Sequence, residues 1–228
     1  MRRNIPVRLR IAALAAAAFS LLVLGAALRP LFFAENHTAA PVLNSIEVGF
    51  AQDMTAHHQQ ALLMVQRLDP AAGPPVRRLA QQLADTQRME IGTMLGWLRL
   101  ANASPMSPRP MAWMQTAAHH HSGTPAASPT SMPGMATMPE LDALAAAKGR
   151  DAEILFLQLM IRHHEGGTAM TKAADELLEA GPVKEAARSM FQSQSQEIGV
   201  MSVLLTQLLP KDVPTGSSTS DQPPPAGR

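Results

Sequence analysis

The sequence predicts an all-α protein whose main body is a bundle of four long helices, preceded by an apolar N-terminal segment. The chain of 228 residues is 46% hydrophobic, yet only 4% aromatic and without tyrosine. It is rich in Ala, Leu, Met and Gln, which favour helices, whereas a β-sandwich or barrel would draw on Val, Ile, Tyr and Thr. In addition, one pattern of residues occurs twice, and each occurrence fits a pair of helices.

The N-terminal segment has the plan of an export signal. Arginines at positions 2, 3, 8 and 10 precede an uncharged stretch from Ile11 to Leu28, which is just long enough to span a bilayer. Residues 1–35 are therefore predicted to be a signal or membrane anchor, and an uncleaved anchor is favoured. Basic flanks stay in the cytoplasm, so the chain is expected to cross the cell membrane once, with the C-terminal domain on the outer side. If the signal is cleaved, the protein is expected to be secreted or periplasmic.

The duplicated helical domain is predicted to span residues 45–209. Its first helix pair covers 45–100, with helices at 46–68 and 75–100 separated by a turn rich in proline and glycine. A linker rich in Met, His and Pro covers 101–139 and is expected to be flexible.

The second helix pair is predicted at 140–209. It begins with a short helix near 140–147 and continues with long helices at 151–180 and 183–209, which Gly181 and Pro182 separate. The tail at 210–228 is polar and rich in proline, so disorder is expected there.

The internal repeat has two parts. Met-x-x-His-His begins at Met54 and again at Met160, and a further methionine follows ten residues after each start. On the next helix Gln-x-x-Glu-Ile-x-x-Met begins at Gln87 and again at Gln194. A single helix pair would leave its apolar face exposed, so two pairs of equal plan predict a four-helix bundle with approximate twofold symmetry.

The spacing of the repeat suggests a metal site. Steps of three or four residues place the motif residues on one helix face. Imidazole suits several transition metals, whereas the thioether selects copper(I) or silver, and methionine is the chain's soft ligand because cysteine is absent. The glutamates are either ligands or hydrogen-bond partners that fix a histidine tautomer. The candidate metal ligands are Met54, His57, His58, Met64, Glu90, Met94, Met160, His163, His164, Met170, Glu197 and Met201.

A purely structural interpretation stays open. Methionine at helical spacing is often core filler, a buried histidine is often only hydrogen-bonded, and adjacent histidines cannot point at one spot from a regular helix. The linker offers a second cluster, either a labile soft-metal binder or a solvated low-complexity segment. Its members are Met106, Met111, Met114, His119, His120, His121, Met132, Met135 and Met138.

The doubled motif resembles the bacterial family known as domain of unknown function 305. The resemblance covers about residues 45–209, with Thr55 where the family usually has isoleucine and Gly167 where it usually has alanine. It implies a ferritin-like all-helical fold, export or membrane anchoring, and, for some members, copper binding.

The expected function is therefore an extracytoplasmic, non-enzymatic metal-binding protein for copper binding or tolerance. Copper(I) is favoured, with silver or another transition metal as options. One alternative is a ferritin-like di-metal oxidase, although its Glu-x-x-His motif is absent from the sequence. Another is a structural or partner-binding bundle without metal. The expected partners are the metal ion and the membrane, with a homo-oligomer as an option. Nucleic acid is not expected, since 19 basic residues balance 18 acidic ones.

Overall fold

The computed structural model describes residues 7–32, 42–114 and 132–209, and these residues form helices and turns without any strand. The predicted all-α class is confirmed, and the long helices begin and end within a few residues of their predicted bounds. The predicted disordered tail at 210–228 lies outside the described residues. The helices are α1 (Val7–Phe32), α2 (Ser45–Arg67), α3 (Pro74–Leu100), α4 (Met138–Ala146), α5 (Gly149–Leu177) and α6 (Pro182–Leu208).

The N-terminal helix α1 belongs to a compact unit of its own, separate from the unit that begins at Val42. Side chains such as Leu14 and Phe19 are exposed on it. None of the helices in the described ranges combines the length and the apolarity needed to cross a membrane. The predicted single-pass anchor is therefore not supported.

In the second unit, α2 packs against α3, α5 packs against α6, and α2 and α5 contact each other between the two helix hairpins. Local sequence sets the helix starts. The Asn44 side chain accepts hydrogen bonds from two backbone N–H groups of the first turn of α2, and Glu47 accepts from the Asn44 backbone N–H in return. Proline opens both α3 and α6, where its fixed φ suits the first turn.

The core consists of two hydrophobic clusters, and each contains residues from both repeats. Phe50 of α2 and Val183 of α6 belong to one cluster, whereas Val76 of α3 and Phe156 of α5 belong to the other. Neither helix hairpin therefore completes its apolar core alone.

The segment predicted as a flexible linker is partly built into the bundle. The Met111 backbone N–H and the Trp113 indole N–H both donate to Asp53 Oδ2, at 2.7 and 2.9 Å. Both side chains are buried, and Gly49 gives the Trp113 ring room against α2. Burying a large apolar ring fixes this end of the segment, which its Pro- and Met-rich composition did not indicate. His119, His120 and His121 lie outside the described residues.

Candidate metal centre

The two His-His pairs meet at the contact between α2 and α5. The rings of His57 and His163 stack with a centroid distance of 3.8 Å and an interplanar angle of 29°. His58 and His164 diverge from them, with ring centroids 6.4 and 6.1 Å from those of their sequence neighbours. All four side chains are buried. The structure thus forms a central histidine pair with one outer histidine in each repeat.

Three of these histidines share one hydrogen-bonding pattern. His57 Nε2 donates to the Pro133 carbonyl at 3.1 Å, and His163 Nε2 donates to the His57 carbonyl at 3.0 Å. His58 Nε2 donates to Glu90 Oε2 at 2.6 Å. Because these oxygens accept, each Nε2 carries a proton, and in a neutral ring Nδ1 then presents a lone pair. The three Nδ1 atoms are buried and have no hydrogen-bond partner among the described residues.

His164 differs from the other three histidines. Its Nε2 lies 2.9 Å from Glu197 Oε2, and its Nδ1 lies 3.0 Å from the carbonyl oxygen of Met160. Both ring nitrogens therefore face oxygen acceptors. The two outer histidines, which the sequence presents as equivalent, have different surroundings.

Burial keeps the central pair uncharged. Desolvation, followed by repulsion from His58, lowers the pKa of His57 from 6.5 to about 3. Desolvation, followed by repulsion from His57, lowers the pKa of His163 well below its ordinary value. Both rings are thus neutral imidazoles at neutral pH, which is the form that coordinates a metal.

The six predicted methionine ligands are fully buried and fall into two trios. In each trio, two methionines come from one repeat and the third comes from the other. Because the early methionine of α2 shares a cluster with the late methionine of α5, the two helices run antiparallel with the histidines between the trios. The first trio is Met54, Met94 and Met170, and the second is Met64, Met160 and Met201.

The donor set favours sulfur together with nitrogen. Within the described ranges, no three His, Asp or Glu side chains are grouped closely enough to hold a metal ion. Glu90 and Glu197 each accept a hydrogen bond from an outer histidine, as partners that fix a tautomer do. Their role as ligands stays a prediction. A metal held by the imidazoles would therefore need a further donor such as methionine sulfur, and all six methionines of the motif are buried.

The segment that covers His57 was not predicted from the sequence. In this segment Pro133 and Gly134 lie against α5, where a Cβ on Gly166 would collide with the Pro133 carbonyl. Gly134 itself has φ +77°, a conformation that favours glycine. Two consecutive glycines inside a helix are costly, so Gly166 and Gly167 were the available signal for a close approach.

The small residue after each His-His pair does not leave open space. At Gly167 a Cβ would collide with the carboxamide oxygen of Gln194, so the Gln194 side chain fills that space. At the matching position of the first repeat, Ala61 carries its own methyl group and is buried.

The fold and site together define an all-helical bundle protein with a duplicated, buried core of histidine and methionine. The chain belongs to the family described as Domain of unknown function (DUF305), whose model matches residues 47–205. The resemblance drawn from the repeat is thereby confirmed at the level of the family. The ferritin-like character of the fold stays a prediction.

Among the solved structures that are similar to this chain, three each match 72% of it. A DUF305 protein from Streptomyces coelicolor, described as secreted, is 39% identical with a TM-score of 0.63 and 92% of its own length covered. A DUF305 fragment from Deinococcus radiodurans is 31% identical, with a TM-score of 0.58 and 97% covered. CopM in its Cu(II)-bound form is 25% identical, with a TM-score of 0.52 and 97% covered. A search of curated protein sequences gives no match.

Proposed function

We propose that this protein is an extracytoplasmic, non-enzymatic copper-binding protein that holds copper(I) with buried imidazole nitrogens and methionine sulfurs. The observation that carries the proposal is the set of three buried Nδ1 atoms without a partner, on His57, His58 and His163. An unpartnered buried polar atom costs about 1–3 kcal/mol, so three of them in one core need a compensating role. Metal ligation supplies that role.

The chemistry of the donors supports copper(I) over zinc. Structural zinc sites use cysteine, histidine and carboxylates in a tetrahedral group, and the chain has no cysteine. Thioethers are soft ligands that favour copper(I) and silver, and six of them are fully buried in the two hydrophobic clusters of the bundle. Silver(I) is accordingly expected to bind in place of copper(I).

The similar structures support copper binding and an extracytoplasmic location. CopM, at 25% identity, is described in a Cu(II)-bound form, so it supports copper without bearing on the oxidation state, and the Streptomyces coelicolor protein is described as secreted. The alternative of a di-metal oxidase would need several carboxylates around two metals, and the described ranges contain no such group. A bundle without metal is the remaining alternative, and metal binding tests it directly.

The test is a competition titration of the full chain with copper(I) against a chromophoric chelator. We expect wild-type protein to compete, and His57→Gln or His163→Gln to lower the affinity at least tenfold. Glutamine can still donate an N–H to the same carbonyl while the lone pair of Nδ1 is lost. If wild-type protein fails to take copper(I) from the chelator, the proposal is wrong and the alternative of a structural bundle without metal remains.

A matched pair of methionine variants separates ligation from packing. Met94→Leu removes a buried sulfur with nearly the same volume, whereas Met89→Leu changes a methionine that is 69% exposed. We expect weaker copper(I) binding for Met94→Leu and unchanged binding for Met89→Leu. Equal affinities would assign Met94 to packing alone.

A further inference from the structure

We propose that the two repeats are unequal metal sites and that the repeat with His58 takes the first ion, before the repeat with His164. This inference rests on the proposed function, because it concerns the order in which the same core fills. The central pair of His57 and His163 lies between the repeats and is available to both. The difference between them therefore resides in the outer histidines and their neighbours.

His58 is ready to bind without breaking a contact. Its Nε2 is held by Glu90 at 2.6 Å, which fixes the ring and leaves Nδ1 as the nitrogen available to an ion. No described residue hydrogen-bonds that Nδ1, and the side chain is fully buried. An ion entering here gains a ligand and displaces no protein hydrogen bond.

His164 has no such vacant nitrogen. Its Nδ1 is 3.0 Å from the Met160 carbonyl and its Nε2 is 2.9 Å from Glu197. A metal bound at Nδ1 must first break the contact with Met160, which His58 does not make with its own helix. The loss of a buried hydrogen bond weakens the second site relative to the first.

The glutamines three residues before Glu90 and Glu197, the partners of the outer histidines, support the same order. In the first repeat, Gln87 is 2% exposed and its carboxamide oxygen has no partner within the described ranges. In the second repeat, the oxygen of Gln194 occupies the space beside Gly167, and the atom left unpartnered is the amide nitrogen. An unpartnered oxygen attracts a cation, whereas an unpartnered N–H group repels one. The sequence named both glutamines only as markers of the repeat.

The test is a stepwise titration of the full chain with silver(I), followed by long-range ¹H–¹⁵N spectra of the imidazoles. Silver(I) shares the soft-ligand preference of copper(I). Spectra of His58→Gln and His164→Gln assign the signals. We expect the first equivalent to shift Nδ1 of His58 and leave His164 unchanged, and a later equivalent to shift His164. Simultaneous shifts, or His164 shifting first, would overturn the inference.

Affinities of matched variants provide the second measurement. We expect His58→Gln to weaken the tightest silver(I) site at least tenfold, and His164→Gln to leave it within twofold. Gln87→Leu should weaken the tightest site, whereas Gln194→Leu should not. Circular dichroism checks that each variant is helical. If a histidine variant fails to fold, the comparison of Gln87→Leu with Gln194→Leu decides the order of filling. Equal losses within both pairs contradict the proposed order.

Failure of the inference is distinguishable from failure of the proposed function. If silver(I) binds to the bundle histidines in another order, only the order is wrong. If silver(I) leaves all four bundle histidines unshifted throughout the titration, the proposed function and the inference both fall.

Discussion

His57 illustrates how burial of one residue links stability to pH. Its pKa is about 3 in the folded chain and near the ordinary 6.5 when unfolded, so the unfolded state binds the proton more readily between these values. The stability that neutral His57 contributes is complete above about pH 6.5 and is lost as pH falls from there toward 3. His163, whose pKa is also lowered, acts in the same direction.

We therefore predict that the metal-free chain loses stability between pH 6.5 and 4.5. The expected loss is about 2 kcal/mol from His57, since one pH unit corresponds to about 1.4 kcal/mol per proton. Denaturant unfolding of wild type and His57→Gln measures it, and the variant should show a shallower slope. Hydrogen bonds with Arg162 lower the pKa of Glu140 to about 2. The stability that ionised Glu140 contributes is therefore lost only below about pH 4.5. Parallel slopes in wild type and variant would contradict the assignment to His57.

At the scale of elements, the segment Met132–Thr137 acts as a strap across α2 and α5. Gln60 clamps it with two hydrogen bonds, from its Nε2 to the Ala136 carbonyl at 2.9 Å and from the Ala136 N–H to its Oε1 at 2.6 Å. The strap also supplies the Pro133 carbonyl to His57, so it fixes the histidine tautomer whose Nδ1 lone pair faces the core.

Removing the clamp should loosen the strap without unfolding the bundle. For Gln60→Leu we predict faster hydrogen exchange at the Ala136 amide and a loss of about 1–2 kcal/mol in the free energy of unfolding. Gln59→Leu, at the exposed neighbouring position, is the control and should change neither quantity. Unchanged protection of the Ala136 amide in Gln60→Leu would show that the strap is held by other contacts.

The helices were predictable because their signals are local, whereas the strap was not. Proline and glycine mark the turns at Pro74 and Gly181, and helical periodicity covers the segments between them. In contrast, His57 and Pro133 are 76 residues apart in the sequence, and no periodicity relates them. The repeat predicted the candidate ligands. The contacts that distinguish His164 from His58 arise from side-chain packing, and a motif repeated in both halves cannot predict such a difference.

At the scale of the whole molecule, the two hairpins depend on each other. Both hydrophobic clusters and both methionine trios combine residues from the two repeats. We predict that a fragment of residues 42–105 alone shows little cooperative unfolding and no high-affinity copper(I) site. Thermal melts by circular dichroism and the chelator competition measure this. A fragment that melts cooperatively as a monomer and retains the site would refute the shared core.

The stacked pair of His57 and His163 lies across the seam between the two repeats, as a pair of identical residues would in a symmetric dimer of hairpins. A dimer of that kind would come apart on dilution, because its association depends on protein concentration. Here both hairpins belong to one polypeptide, so they meet at an effective concentration set by the connecting segment and not by the surroundings. The assembled core would therefore persist at any dilution. Covalent linkage also lets the two halves differ in sequence, as Ala61 and Gly167 do at matching positions of the repeat.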